Sequence, residues 1–199
     1  MWPANMTRPD VTYYTSWLGR FSGSPGREHL RAAYNIHYIL GYLVKTKHLG
    51  ITYGGHPKSV EHLLGVEPEG CARSGGLHAF HDDSSWGRAA YPMGGFVVMY
   101  NNGALSWSAR RLKVVADSSA EAETAVASRA AKEIVAVRIV MEDLGCELWG
   151  PTPLIGDSQQ PTRNLIVKPG STARTRYFER ATMLVKRLYM KGIVEPYLV

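Results

Sequence analysis

The chain has only two cysteines, Cys71 and Cys146, in 199 residues. They are too few for a disulfide framework and lack metal-ligand spacing, which excludes a small disulfide-stapled secreted domain and a cysteine zinc site. A reducing compartment is the simpler expectation. Long hydrophobic runs are also missing. No apolar stretch approaches the roughly 18–20 residues that cross a bilayer, and the opening MWPANMTRPD has neither the basic patch nor the apolar core of a signal peptide. The chain therefore reads as soluble, with no membrane partner. There are no repeats or low-complexity tracts. Acids are the scarcer charge: 17 Asp+Glu against 23 Lys+Arg give +6, a balance that suits polyanionic partners. A helix that starts almost at Met1 and an apolar ending, EPYLV, suggest a piece of something longer.

Two segments with different patterning flank a stretch without period. The first reads as two helices, RPDVTYYTSWLGRF and PGREHLRAAYNIHYILGYLVKTKHLG, the second with Ser24 as N-cap, Pro25 at its first position and Gly50 as its stop. Leu30, Ala33, Tyr34, His37, Leu40 and Leu43 fall near helical spacing, so His37 is expected to be a packed core histidine. A short strand is expected at residues 51–53. Residues 55–76, rich in Gly, Pro, His and Glu, read as a linker.

The segment from residue 77 is more regular. LHAFHD reads as a strand ending at carboxylates, and GGFVVMY, Asn101-Asn102-Gly103 and ALSWSA as a hairpin, because Asn-Gly supplies the positive φ of a tight turn. A long helix follows, closed by Gly145. PTPLIGD reads as a short buried strand, Gln159–Val167 as a brief helix, and Arg174–Lys191 as a terminal helix ending at Gly192. That order predicts a mixed sheet with helices packed on it. Trp86, Trp107 and Trp149 are expected in core or sheet packing.

Strand ends are where open sheets with helices place ligands, and Asp82, Asp83 and Asp157 sit at such ends. Each taken singly fits a turn former or N-cap equally well. Glu121 and Glu123 are told apart by spacing. Glu121 completes a capping box with Ser118, whereas stepping along the helix from Glu123 gives Val126, Ala130, Ile134, Val137, Met141 and Leu144, the stripe that must face the sheet. A carboxylate there is costly unless it is paired, reaches solvent at the helix end or binds a cation. Converging carboxylates select hard ions such as Mg²⁺ or Mn²⁺, and two such ions about 3.5–4 Å apart hydrolyse phosphodiesters. With the basic balance of the chain, this suggests a nuclease.

The blocks LHAFHDDSSWG, GGFVVMYNNGALSWSARRLKVVADSSAEAETAVASRAAKE, PTPLIGDSQQ and ARTRYFERATMLVKRLYMKGIVEPYLV resemble, in that order, the ribonuclease H domain of copia-type retrotransposon polyproteins. SWSARRLKVVADSSAEAE is the most specific. The upstream TRPDVTYYTSWLGRFSGSP and HLRAAYNIHYILGYLVKTKHLGITYG look like that family's reverse transcriptase tail and connection. The resemblance implies an α/β, ribonuclease H-like mixed sheet flanked by helices, with an N-terminal helical segment. It divides the chain into a reverse transcriptase remnant (1–54), a linker (55–76) and the ribonuclease H-like domain (77–199).

Carried over residue by residue, the resemblance puts the family's catalytic, metal-binding carboxylates at Asp83, Glu123, Asp157 and Glu179, holding two Mg²⁺ or Mn²⁺ ions. It implies cleavage of the RNA strand of RNA:DNA hybrids, with the rest of the polyprotein as partner, in the cytoplasm (a virus-like particle) or the nucleus. Beside those acids, Arg110, Arg111, Lys113, Arg174, Arg176 and Arg180 are candidates for holding phosphates, and the same residues suit a solvated basic face. Ser158 and Gln159 are candidates for reaching a 2′-hydroxyl, and Ser158 equally suits a helix N-cap. The chain departs from the family's pattern at Ser85, which replaces a second aspartate, and at Glu179, where the family has aspartate. It is also shorter between Trp86 and Gly95. These departures keep open a second class of function, a catalytically decayed or domesticated nucleic-acid-binding remnant.

Overall fold

The computed structural model describes residues 2–54, 76–84, 92–112, 119–148, 150–157 and 179–198. The N-terminal segment forms α1 (Trp2–Met6), a 3₁₀ turn (Pro9–Val11), α2 (Thr12–Gly19) and α3 (Arg27–Lys45). The second segment forms β1 (His78–Ser84), β2 (Met93–Tyr100), β3 (Gly103–Arg111), α4 (Ser119–Asp143), β4 (Thr152–Gly156), α5 (Glu179–Met190) and β5 (Val194–Leu198).

The five strands form one sheet in the order β3-β2-β1-β4-β5. β1–β2 and β2–β3 pair antiparallel, β1–β4 and β4–β5 parallel. This is the mixed, helix-flanked sheet expected. One strand was not expected: the chain does not close on a terminal helix but returns after α5 as β5 beside β4. Its apolar EPYLV is a strand because the β4 edge supplies hydrogen-bonding partners that five residues cannot find alone.

The hairpin turn also sits one residue earlier than Asn102-Gly103 suggests. Asn101 and Asn102 carry the positive φ values, 48° and 65°, and Gly103 already pairs with Tyr100. Asparagine tolerates the left-handed region better than most residues, so two in succession suffice for the turn. Two of the three predicted glycine stops are observed; Gly50 is not one, since its helix already ends at Lys45. Gly145 (φ 78°) and Gly192 (φ 66°) follow α4 and α5, and the next residues, Cys146 and Ile193, donate back to Met141 and Leu188 at 2.9 Å each, which closes both helices.

The main core lies between the sheet and α4 and α5. Ala79, Val98 and Leu154 from three adjacent strands pack with Ala127, Ala130, Ala131 and Ile134 of α4 and Val185 and Leu188 of α5. Small alanines let α4 lie close to the strands. Gly94 takes this furthest, since a Cβ there would collide with Val126 of α4. Arg138 fastens the far end of the helix by donating to the carbonyl of Gly150 and the hydroxyl of Thr152, both at 2.9 Å. The expected stripe is buried at Val126, Ala130, Ile134 and Met141, but Leu144 is exposed where the helix runs past the sheet.

The opposite face of the sheet meets the N-terminal segment. The Trp107 indole donates to the Ala4 carbonyl at 2.7 Å, as expected of a tryptophan in sheet packing. Arg8 pairs with Asp10 at 2.7 Å and reaches the Thr46 hydroxyl at 2.8 Å, and Tyr42 also donates to Asp10 at 2.8 Å, tying the start of the segment to the end of α3. Several expectations fail here. α3 starts at Arg27 and ends at Lys45, inside the predicted bounds, and residues 51–53 form no strand. His37 is exposed, as are Tyr34 and Leu40, so it is no core histidine. The sequence marks an apolar stripe but does not say whether anything covers it. The linker, the helix expected at Gln159–Val167, Cys71, Ser85, Trp86 and Trp149 lie outside the described residues.

Candidate active site

The topology brings three of the four predicted acids to one end of the sheet. β1 and β4 are parallel neighbours in which Phe80 pairs with Ile155, so their C-terminal ends are level, with Asp82 and Asp83 on one strand and Asp157 directly after the other. Side chains at such ends project beyond the last backbone pairing. Asp83 lies opposite Gly94 of β2, and Gly94 is the residue that lets Val126 of α4 approach. Glu123 is three residues before Val126, so α4 carries it to the same end of the sheet.

Glu123 is buried, and one oxygen of each acid, Oδ2 of Asp83 and Oε2 of Glu123, is shut off from solvent. Asp157 is exposed. Glu121, read as a cap, is also buried; its expected partner Ser118 lies outside the described residues. Glu179 is the first residue of α5, and nothing is described of its side chain. Lys113, Ser158, Gln159, Arg174 and Arg176 likewise lie outside the described residues.

Two clefts of similar size and opposite charge are present; Asp82, Asp83 and Asp157 line the first, and none of these acids lines the second. The first, about 590 Å³, runs between the sheet and the N-terminal segment. Its walls include Tyr13, Phe80, Val97, Trp107 and Ile155, it carries Asp10, Asp82, Asp83 and Asp157, and it has no lysine or arginine among the described residues. Burial, then the charge of Asp157, raises the Asp82 carboxyl above its ordinary range. The second, about 570 Å³, is lined by Arg110 and Arg111 of β3, Arg129 and Lys132 of α4 and Arg180 of α5, with no acid among its described residues. Arg129 donates to Ser108 at 3.0 Å and lies over the Phe96 ring. Burial, and to a lesser degree Arg110, lowers its pKa, since both oppose a second positive charge there.

Arg110 and Arg111 were legible in the sequence as phosphate-binding candidates. Arg129 and Lys132 were not, because charges on the outer turns of a helix look like any solvated face.

His81 shares the crevice. It is buried on β1, two residues before Asp83, and burial pushes its imidazole down to about 4 despite the opposing charge of Asp157.

The donor chemistry suits a hard divalent cation. Among the described residues no group of three or more His, Cys, Asp or Glu stands together as a metal cage. Magnesium rarely needs one: it keeps several waters and binds through one or two carboxylates together with substrate phosphates. The buried oxygens of Asp83 and Glu123 fit that mode.

No family model matches the chain. Curated proteins do. The chain is 27% identical over 139 residues to the retrovirus-related Pol polyprotein from transposon TNT 1-94 of Nicotiana tabacum, covering 70% of this chain. It is 29% identical over 154 residues to that from transposon RE1 of Arabidopsis thaliana, covering 76%, and 31% identical over 132 residues to the transposon Ty5-1 protein of Saccharomyces cerevisiae, covering 66%. Its homologues are retrotransposon Pol polyproteins.

The matched part is 9% of the length of each of the two Pol polyproteins and 37% of the Ty5-1 protein. The resemblance to retrotransposon polyproteins read from the sequence blocks agrees with these relatives. Solved structures that match include the ribonuclease H1 of the halophilic archaeon Halobacterium salinarum, at 17% identity and TM-score 0.42, covering 61% of this chain and 85% of that one. The N-terminal ribonuclease H domain of a Mycobacterium tuberculosis protein matches at 12% identity and TM-score 0.42, covering 61% and 83%. Among the described residues no helix is long and apolar enough to cross a membrane.

Proposed function

We propose that the chain is the ribonuclease H domain, with part of the reverse transcriptase tail and connection, of a copia-type retrotransposon polyprotein, and that it cleaves the RNA strand of RNA:DNA hybrids. The observation that carries this reading is that Asp83 and Glu123, two acids with buried oxygens, come from elements brought together at one end of the sheet by the close approach of Gly94 and Val126. A purely structural pair of acids gains nothing from that arrangement, whereas a cation-binding pair needs it.

In this reading Asp83, Glu123 and Asp157, with Glu179 as the fourth acid, hold Mg²⁺ or Mn²⁺. When bound, the ions supply an activated water and stabilise the leaving 3′ oxygen of a phosphodiester. The chain's own residues do the rest. Asp83 is fixed by strand pairing and Glu123 by the close packing of α4, so both carboxylates are oriented before substrate arrives. Arg110, Arg111, Arg129, Lys132 and Arg180 hold backbone phosphates, joined by Lys113, Arg174 and Arg176. Ser158 and Gln159, directly after Asp157, are placed by sequence to reach a 2′-hydroxyl, the group that distinguishes RNA. The rest of the polyprotein is the partner, in a cytoplasmic particle or the nucleus.

The test is a labelled hybrid incubated with the protein and Mg²⁺ or Mn²⁺, beside Asp83→Asn. Cleavage that needs the metal and is lost in the variant is expected. Tight binding without cleavage in either metal would instead leave a non-catalytic binding remnant, consistent with Ser85 and Glu179.

A further inference from the structure

The cleft between the sheet and the N-terminal segment has no part in the reading above, and the strand register accounts for its shape. Val97 pairs with Trp107 on one side and Phe80 on the other, and Phe80 pairs with Ile155. One large apolar side chain from each of four adjacent strands thus stands in a single row. Successive strand residues face opposite ways. Ala79, Val98 and Leu154 pack in the core against α4, and His81 shares their side, its ring so close to Gly156 that a Cβ there would lie 2.7 Å from Cε1. The row of Trp107 therefore faces the N-terminal segment, whose Pro9, Thr12 and Tyr13 also line the cleft.

Two residues further toward the strand ends, about 7 Å on, the same register gives a second row on that face. It consists of Ala109, Gly95, Asp82 and, continuing past the end of β4, Asp157. Ala109 and Gly95 are too small to fill it. A Cβ on Gly95 would make only ordinary contacts, at 3.6 Å and 3.8 Å, so the space above the backbone is open. Asp82 and Asp157 stand level on neighbouring strands, where like charges are destabilising. No lysine or arginine among the described residues lines the cleft, and Asp10 of the N-terminal segment is already paired with Arg8.

We infer that this cleft binds a small organic cation, an aryl-alkyl amine or amidine, with its charge between Asp82 and Asp157 and its aromatic body over the row of Phe80 and Trp107. The volume, about 590 Å³, lies within the roughly 300–1,000 Å³ of small-molecule pockets. The charge of the lining selects a cation. The apolar row selects the body, since a hydrated inorganic ion gains nothing from it, whereas an organic cation is attracted to aromatic faces as well as to carboxylates. The inference goes beyond the nuclease reading and does not rest on it; Asp157 is common to both, but Asp82 belongs to the cleft alone.

Calorimetric titration of the whole chain tests it, with 2-(2-naphthyl)ethylamine as the probe beside its neutral alcohol counterpart and spermidine, which has the charge without the aromatic body. One-to-one binding of the naphthyl amine, about tenfold or more tighter than either of the others, is expected. Asp82→Asn should weaken it by about tenfold, and Gly95→Leu, which fills the hollow, should abolish it, with the urea midpoint of each variant checking the fold. No binding of the amine overturns the inference. So does an affinity matched by the alcohol or by spermidine, or one unchanged in Asp82→Asn, which decides by itself if Gly95→Leu fails to fold. A chain that cuts no hybrid fails the nuclease reading alone, because the titrations still decide the cleft.

Discussion

The two longest helices, α3 and α4, are built for opposite purposes. α3 alternates large apolar and polar residues in a strong helical pattern, yet Tyr34, Tyr38, Leu40 and Val44 are all more than half exposed. α4 has the flatter pattern, rich in alanine, and Val126, Ala127, Ala130, Ala131 and Ile134 are fully buried. Large side chains in a periodic stripe advertise a helix but keep it at a distance. Small ones let backbones approach, as at Gly94, and a helix held that closely can fix a carboxylate. Glu123, the acid proposed to bind the ion, is accordingly on α4.

The strongest way to break this contrast is to remove the acid and keep the helix. Glu123→Gln is expected to lower hybrid cleavage by about 10²–10³-fold, measured at saturating Mg²⁺, with little change in the unfolding midpoint. Next comes packing. Ile134→Ala on α4 is expected to cost roughly 2–5 kcal/mol in urea unfolding.

Acid should act through His81. Its folded-state value lies near 4 against an ordinary 6.5, so the unfolded chain takes up a proton that the folded chain refuses. Stability present above pH 6.5 is therefore lost as pH falls toward 4, by up to roughly 3 kcal/mol, and His81→Phe should flatten that part of the pH–stability curve. The basic cleft gives a smaller, additive effect: each of Lys132→Gln and Arg180→Gln should reduce the slope of log affinity against log salt by about 0.9 for a duplex ligand. The smallest change is expected on α3. Leu40→Ala should alter stability by no more than about 0.5 kcal/mol, and a loss comparable to that of Ile134→Ala would refute the contrast.

Much of this was legible in the sequence where the signal is local. Alternation marked β1 to β3, Gly145 and Gly192 marked the helix ends, and the position of Glu123 on an apolar stripe marked it as the acid needing an explanation. What failed depends on partners distant in the chain. EPYLV is a strand only because β4 lies alongside, His37 is exposed because no described residue covers that part of α3, and Arg129 and Lys132 join Arg110, Arg111 and Arg180 only through tertiary packing. The His81–Gly156 pairing was hidden for the same reason, since it depends on the parallel register of β1 and β4.

The Asn101–Asn102 turn also sets an order of assembly. A two-residue turn brings β2 and β3 together with almost no loop to close, a step of about 1–10 μs in hairpins. The β1–β4 pairing must instead enclose the hairpin and all of α4 before any contact repays the lost chain freedom. Asp83 and Asp157 are thus joined by one of the slowest pairings in the fold. A chain still folding, or held open within a longer polypeptide, keeps Asp83 and Asp157 apart until the sheet is complete.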